Sequence, residues 1–289
     1  MVRQGLRPQG GRIQSLQRPL AGGPYQGPVA KHVDYAQIDY IASPSVTITA
    51  GRFLTPFGIF NERLYPVWIR FLQPDPLILP INTAPSDGAM LRGGFALGTS
   101  SKANLNYAAY VSATSIAIDS VDSERHVGGR IGVFFPGSRL EVGGSFQRTL
   151  QDVRKNAFGF HMGWQSSKMP LSVRAEMARS YQGSGYWMEG AYRLSQVHFW
   201  QKAMRHTELV ARAQGYYVGE IGADAAADLD LPTADTREAD FGVNYWLRDG
   251  LKGIFSYGRQ FSSAGNANQW SFGFAYRFLV PLGRVGGRP

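Results

Sequence analysis

From residue 33 onward, apolar and polar side chains alternate at every second position, in segments of about ten residues broken by turn residues. That period places successive side chains on opposite faces of an extended strand, so each segment has one greasy face and one wet face. Residues 270–278 set Trp270, Phe272, Phe274, Tyr276 and Phe278 against Ser271, Gly273, Ala275 and Arg277. Residues 157–164 set Phe158, Phe160, Met162 and Trp164 against Gly159, His161 and Gly163. Residues 127–135 set Val127, Ile131, Val133 and Phe135 against Gly128, Arg130 and Gly132.

Each apolar face needs an apolar neighbour, either a second sheet or lipid. In a β-sandwich the apolar faces meet inside and the polar faces meet water. Here the polar faces carry Gly and isolated charges, while the apolar faces end in aromatics, as girdles bordering lipid do. The sequence therefore predicts an all-β chain built as an antiparallel transmembrane β-barrel. Composition agrees: 18% of residues are charged, against ~25% in soluble domains, and 35 of 289 are Gly, above the ~7% norm. No apolar run reaches the ~18 residues that a membrane-spanning helix requires. The absence of Cys excludes disulfides, Cys-ligated zinc, iron–sulfur clusters and thiol nucleophiles.

Thirteen strands are predicted, at 33–42, 46–55, 88–98, 103–113, 125–136, 138–150, 155–167, 170–181, 185–197, 206–220, 235–248, 250–261 and 267–280. Their connections mostly alternate short and long, the long ones falling at 56–87, 114–124 and 221–234. Outer-membrane barrels have short periplasmic turns and long extracellular loops, which orients the chain. The connection at 198–205 is longer than that rule predicts. Residues 1–31 mix Pro8, Pro19, Pro24 and Pro28 with several glycines and suit neither helix nor ladder. They read as a flexible tail ahead of one barrel domain at 32–289, which carries a long loop at 56–88. Single-chain bacterial barrels have even strand numbers, so thirteen visible strands predict about 14 to 16 in the complete protein. An earlier start, with a signal peptide and at least one more strand, is expected.

The formal charge of +9 is largely a property of the tail, where Arg3, Arg7, Arg12, Arg18 and Lys31 contribute +5. The body holds 25 basic and 21 acidic residues with no Lys/Arg block, so no nucleic-acid partner is expected.

An extended VDYAQIDY (Val33–Tyr40) precedes TAGRFLTPFGIFNER (Thr49–Arg63), and DGAMLRGGFALG (Asp87–Gly98) and LNYAAYVS (Leu105–Ser112) follow. This order, and above all Gly51–Gly58, resembles the phosphate-selective porin family of outer-membrane proteins, with its Gly-Arg/Gln-Phe-x-x-Pro-Phe-Gly element. The resemblance implies a place in the bacterial outer membrane and passive diffusion of small hydrophilic solutes, including anions such as phosphate. Two features depart from it. The family's ladder of Arg and Lys does not map residue by residue onto this chain, and Phe278 is followed by LVPLGRVGGRP instead of closing the sequence.

With apolar faces toward lipid, the inward positions carry Arg130, Arg174, Arg193, Arg212, Lys252 and Arg277, opposed by Glu141, Glu176, Glu189, Glu208 and Asp240, with His161 among them. A charge facing lipid at mid-depth costs ~2–4 kcal/mol, which supports this parity. These residues are expected either to line a pore of modest selectivity or to pair across neighbouring strands. Arg52 shares parity with Val46 and Ile48, so either a bulge near Gly51 turns it inward or it lies at the rim.

The stretch 56–88 contains Pro56, Pro66, Pro74, Pro76, Pro80 and Pro85, too many for a strand or helix. It also contains Trp68, Ile69, Phe71, Leu72, Leu77, Ile78 and Leu79, whose exposure to water is unfavourable by ~25 cal/mol per Å². Folding into the barrel mouth would bury them and place Glu62, Arg63, Arg70 and Asp75 at a constriction. A loop clasping a neighbouring subunit or covering the rim is the alternative.

Ser145, His161 and Glu176 face inward on three successive predicted strands, which is the residue set of a Ser/His/acid hydrolase. No Gly-x-Ser-x-Gly elbow accompanies them, so an outer-membrane barrel hydrolase stands as the alternative and no enzyme activity is expected. His32, His126, His161, His198 and His206 do not cluster at ligand spacing, and neither metal nor cofactor is expected. The expected partners are small hydrophilic solutes and outer-membrane lipid, with homotrimer and monomer both open.

Overall fold

A computed structural model describes residues 36–61, 70–72, 74–81, 85–98, 102–114, 123–150, 155–222 and 231–277. The predicted tail at 1–31 lies outside the described residues, as do Glu62, Arg63, Trp68, Ile69 and Phe278.

Thirteen strands run along the chain. They are β1 (Ala36–Ser43), β2 (Val46–Phe53), β3 (Ser86–Leu97), β4 (Ala103–Ala113), β5 (Arg125–Phe135), β6 (Leu140–Thr149) and β7 (Lys155–Gln165). The remainder are β8 (Leu171–Arg179), β9 (Gly183–Arg193), β10 (Thr207–Val218), β11 (Thr236–Arg248), β12 (Leu251–Ser262) and β13 (Ala267–Tyr276). All belong to one sheet whose spatial order is the sequence order, with each consecutive pair antiparallel. Every predicted strand is present, and its ends differ from the expected ones by no more than about four residues, the scale on which strand ends read from pattern alone are uncertain.

Exposure decides what the apolar faces meet. Phe158, Phe160, Phe272, Phe274 and Tyr276 are 57%, 50%, 63%, 61% and 54% exposed, whereas His161, Asp240, Asn244 and Ser256 are wholly buried. A sandwich would bury the first set and wet the second. The inverted polarity is that of a wall with lipid outside, and the architecture is an antiparallel transmembrane β-barrel. Among the described residues no ladder joins β1 to β13.

The β2–β3 ladder runs from Thr47 opposite Arg92 to Phe53 opposite Ser86 without a register shift. No bulge therefore turns Arg52 inward. It keeps its outward parity next to the strand end, and Asp87 opposite neutralises it across 3.2 Å, which is the rim alternative.

At the short-turn end, the β9–β10 connection is the exception that the sequence predicted. It contains a 3-10 turn at Leu194–Gln196 and a helix, α1 (Gln201–Met204). Between them Phe199 and Trp200 stack with ring centroids 5.2 Å apart, both well exposed.

Candidate functional site

The inner face of the wall is built around the connection between β2 and β3. Its first part closes on itself: the Asn61 side-chain amide donates to the Thr55 carbonyl at 2.9 Å and to its hydroxyl at 2.8 Å. The tight turn this makes needs a left-handed residue, and Gly58 supplies it with φ +64°. A Cβ at Gly58 would also overlap the Glu176 carboxylate. Further on, prolines block regular hydrogen bonding, and the described backbone includes a 3-10 turn at Leu79–Ile81.

The described backbone of the loop finds hydrogen-bond partners on the wall. The Gly58 N–H donates to Ser145 Oγ on β6 at 2.9 Å, and its carbonyl accepts from Arg130 Nη1 on β5 at 3.2 Å. The Ile59 and Phe60 N–H groups both donate to Glu176 Oε2 on β8 at 3.1 Å. The Pro74 carbonyl accepts from Arg212 on β10 at 3.0 Å, and Leu77 N–H donates to Gln214 Oε1 at 2.9 Å. Asn244 on β11 donates to the Phe71 carbonyl at 2.9 Å, and Lys252 Nζ on β12 donates to the Arg70 carbonyl at 2.7 Å.

The apolar side chains seat in pits left by small wall residues. Phe57 lies against Gly159 of β7, where an added Cβ would come within 2.8 Å of its ring, and Ile78 and Leu72 lie similarly against Gly185 of β9 and Gly242 of β11. Phe60 meets Trp187 edge-on with centroids 6.0 Å apart. Phe57, Ile59, Phe60, Ile78, Leu79 and Ile81 form one buried cluster with Ala157, Ala178, Trp187 and Tyr216. The loop thus touches every strand from β5 to β12. Of its described residues, Phe57, Ile59, Phe60, Leu72, Ile78, Leu79 and Ile81 are removed from water.

This docking changes the role of the inward charges. Arg130, His161, Glu176, Glu189, Arg212, Asp240 and Lys252 all have the expected inward parity, but they are buried and do not front open water. The physical reason is that a Pro-rich loop offers backbone carbonyls and N–H groups that need partners, and Arg130, Glu176, Arg212 and Lys252 supply them together with Ser145, Gln214 and Asn244. Groups of the wall also pair with one another. Arg212 Nε meets Asp240 Oδ2 at 2.9 Å, Arg174 meets Glu189 at 3.3 Å, and Asn244 bonds Glu208 at 2.9 Å. Arg174 also covers the Phe71 ring at 3.5 Å, and Arg193 covers Trp246 at 4.1 Å. Arg277 lies exposed just beyond β13. Of the loop charges, Arg70 pairs with Asp75 inside the loop, while Glu62 and Arg63 fall outside the described residues.

Ser145, His161 and Glu176 do not assemble as a hydrolase. Ser145 sits opposite Gly159 in the β6–β7 ladder, and its Oγ accepts from Gly58. Glu176 is opposite His161, but its Oε2 is turned to the two loop amides, and the carboxylate that His161 Nε2 approaches is Glu141, at 3.8 Å. Among the described residues no three His, Asp or Glu side chains could hold a metal ion.

The sequence matches no family model and no curated protein. Solved structures do share its fold. The anion-selective porin from Comamonas acidovorans superposes with TM-score 0.54 at 10% identity, over 78% of this chain and 66% of that one. OmpT of Vibrio cholerae gives 0.52 at 10% identity over 81% and 77%, and its loop L8 deletion mutant gives 0.52 at 11% over 80% and 76%. The chain has the fold of bacterial outer-membrane β-barrels. At such identities the likeness is one of architecture, and it agrees with the compartment expected from the strand pattern.

Part of the barrel interior is not covered by the described loop residues. A Cβ at Gly163, which shares the inward face of β7 with His161, would meet nothing within 4 Å. Glu141 beside it retains 18% side-chain exposure. Gln214, Asn244, Trp187 and the glycine pits are functional residues that period-2 reading missed. Inward glycines spaced among charges were the available signal.

Proposed function

We propose that this barrel is an outer-membrane channel for passive diffusion of small hydrophilic solutes, with the β2–β3 loop limiting the size of what passes. The observation that supports it is the polar, charged inner face under an apolar outer face, with a folded loop seated against one arc of it. A water-filled path needs a lumen of this polarity wherever the loop does not cover it.

Selectivity among ions should be modest. Arg130, Arg174, Arg212 and Lys252 are tied to loop carbonyls or to carboxylates, as Arg212 is to both Pro74 and Asp240, so they do not form a ladder of one sign. The anion and phosphate preference implied by the resemblance at Gly51–Gly58 therefore rests on that resemblance alone. The test is conductance of the purified chain in planar bilayers, with reversal potentials in a salt gradient. Stepwise currents with weak ion preference support the proposal. A folded barrel that carries no current overturns it.

A further inference from the structure

A cavity of about 340 Å³ opens at the long-loop end of the barrel, between Pro80–Ile81 of the inner loop and the ends of β5–β9. That size falls within the ~300–1,000 Å³ of small-molecule sites. Among the described residues its walls carry one lysine, Lys155, one carboxylate, Glu124, and one histidine, His126; hydroxyls and amides supply most of the rest.

The two opposite charges do not neutralise each other. Lys155 Nζ sits 3.6 Å above the Tyr181 ring. Glu124 stands 3.7 Å from His126 Nε2 and retains 53% side-chain exposure. His126 Nδ1 lies 3.3 Å from Gln147 Nε2 and 3.3 Å from Thr149 Oγ1, and the ring's Nε2 is turned toward Glu124. Glu124, Lys155 and Tyr181 line the same cavity, and burial pushes the Tyr181 phenol up, with the Glu124 carboxylate adding to the effect.

We propose that this cavity binds solutes carrying both an ammonium and a carboxylate, such as free amino acids, with the carboxylate at Lys155 and the ammonium at Glu124. A simple anion meets Glu124 as well as Lys155, and a simple cation meets Lys155 as well as Glu124, so each gains one contact and suffers one repulsion. A zwitterion turns both into attractions.

The inference rests on the channel reading, and the experiment separates the two. The full chain in detergent is titrated calorimetrically with L-glutamine, acetate, ethylamine and glucose, and the same preparation is measured in planar bilayers. L-glutamine should bind at least about tenfold more tightly than the other three, and Glu124→Gln and Lys155→Gln should each weaken it about tenfold or more, the worth of one charge-assisted hydrogen bond. Both side chains lie at the rim, and circular dichroism melts confirm that the variants fold. Acetate or glucose binding as tightly as L-glutamine overturns the proposal, as does no L-glutamine binding or binding unchanged in both variants. Binding without conductance would remove the channel reading and keep the site, whereas conductance without binding would do the reverse.

Discussion

Replacing Glu176 by alanine should release the inner loop while leaving the wall intact. Glu176 Oε2 is the acceptor for the Ile59 and Phe60 N–H groups, and both residues are buried. Without it, two buried donors lose their partner at ~1–3 kcal/mol each, or about 2–6 kcal/mol together. At ~1.4 kcal/mol per factor of ten, the ratio of docked to released loop falls by roughly 30-fold to 20,000-fold. The readout is trypsin cleavage at Arg70–Phe71. Arg70 is buried and its carbonyl is held by Lys252, so the bond is cut only when the loop has left the wall. Cleavage in Glu176→Ala should be at least about 30-fold faster than in the parent. Glu176→Gln, which keeps an acceptor oxygen, should fall between them. Unchanged cleavage in a variant with full strand content would refute the claim that this carboxylate holds the loop.

Other outcomes follow from the same geometry. Gly163→Trp, placed where the interior is open, should leave the barrel folded and lower its single-channel conductance; an unchanged conductance would put the solute path elsewhere. Phe160→Arg on the lipid face should cost ~2–4 kcal/mol in urea unfolding from bilayers, and a neutral result would contradict the assigned parity. Asp240→Leu alone strands Arg212 and should destabilise by about 3–5 kcal/mol, while Asp240→Leu with Arg212→Met should recover much of that loss; equal losses would mean the pair is not coupled. Ser145→Ala should leave any esterase or phospholipase background unchanged, and turnover lost with that hydroxyl would revive the hydrolase reading.

The wall was legible in the sequence because a strand's side-chain period is two and lipid punishes every error of parity. Phe158 and His161 declare their faces within a few residues of each other, and thirteen such segments locate themselves. Direction is as far as that signal reaches. Parity put Arg130, Glu176 and Lys252 inside but could not say whether water or protein waits there, because the answer depends on Gly58, Phe60 and Arg70, which lie far away in the chain. The loop's own composition came closer, since its Pro content forbade regular structure and its apolar content demanded burial. Its landing place was written only faintly, in Gly159, Gly185 and Gly242, whose missing side chains are the imprint of Phe57, Ile78 and Leu72.

The loop precedes in the chain every strand that holds it. Its bonds to the wall span from 72 residues, between Gly58 and Arg130, to 182, between Arg70 and Lys252. Contacts so distant in sequence form only after the intervening strands are in place. Wall and filling are therefore separate events with a fixed order. While the wall is still curling, Arg130, Glu176, Arg212 and Lys252 face an unfilled and hydrated interior, and water meets the hydrogen-bonding needs that backbone meets later. Seating the loop expels that water and trades it for carbonyls and amides. Damage confined to the loop should thus yield an inserted, fully walled barrel with too wide a bore, rather than a chain that fails to assemble.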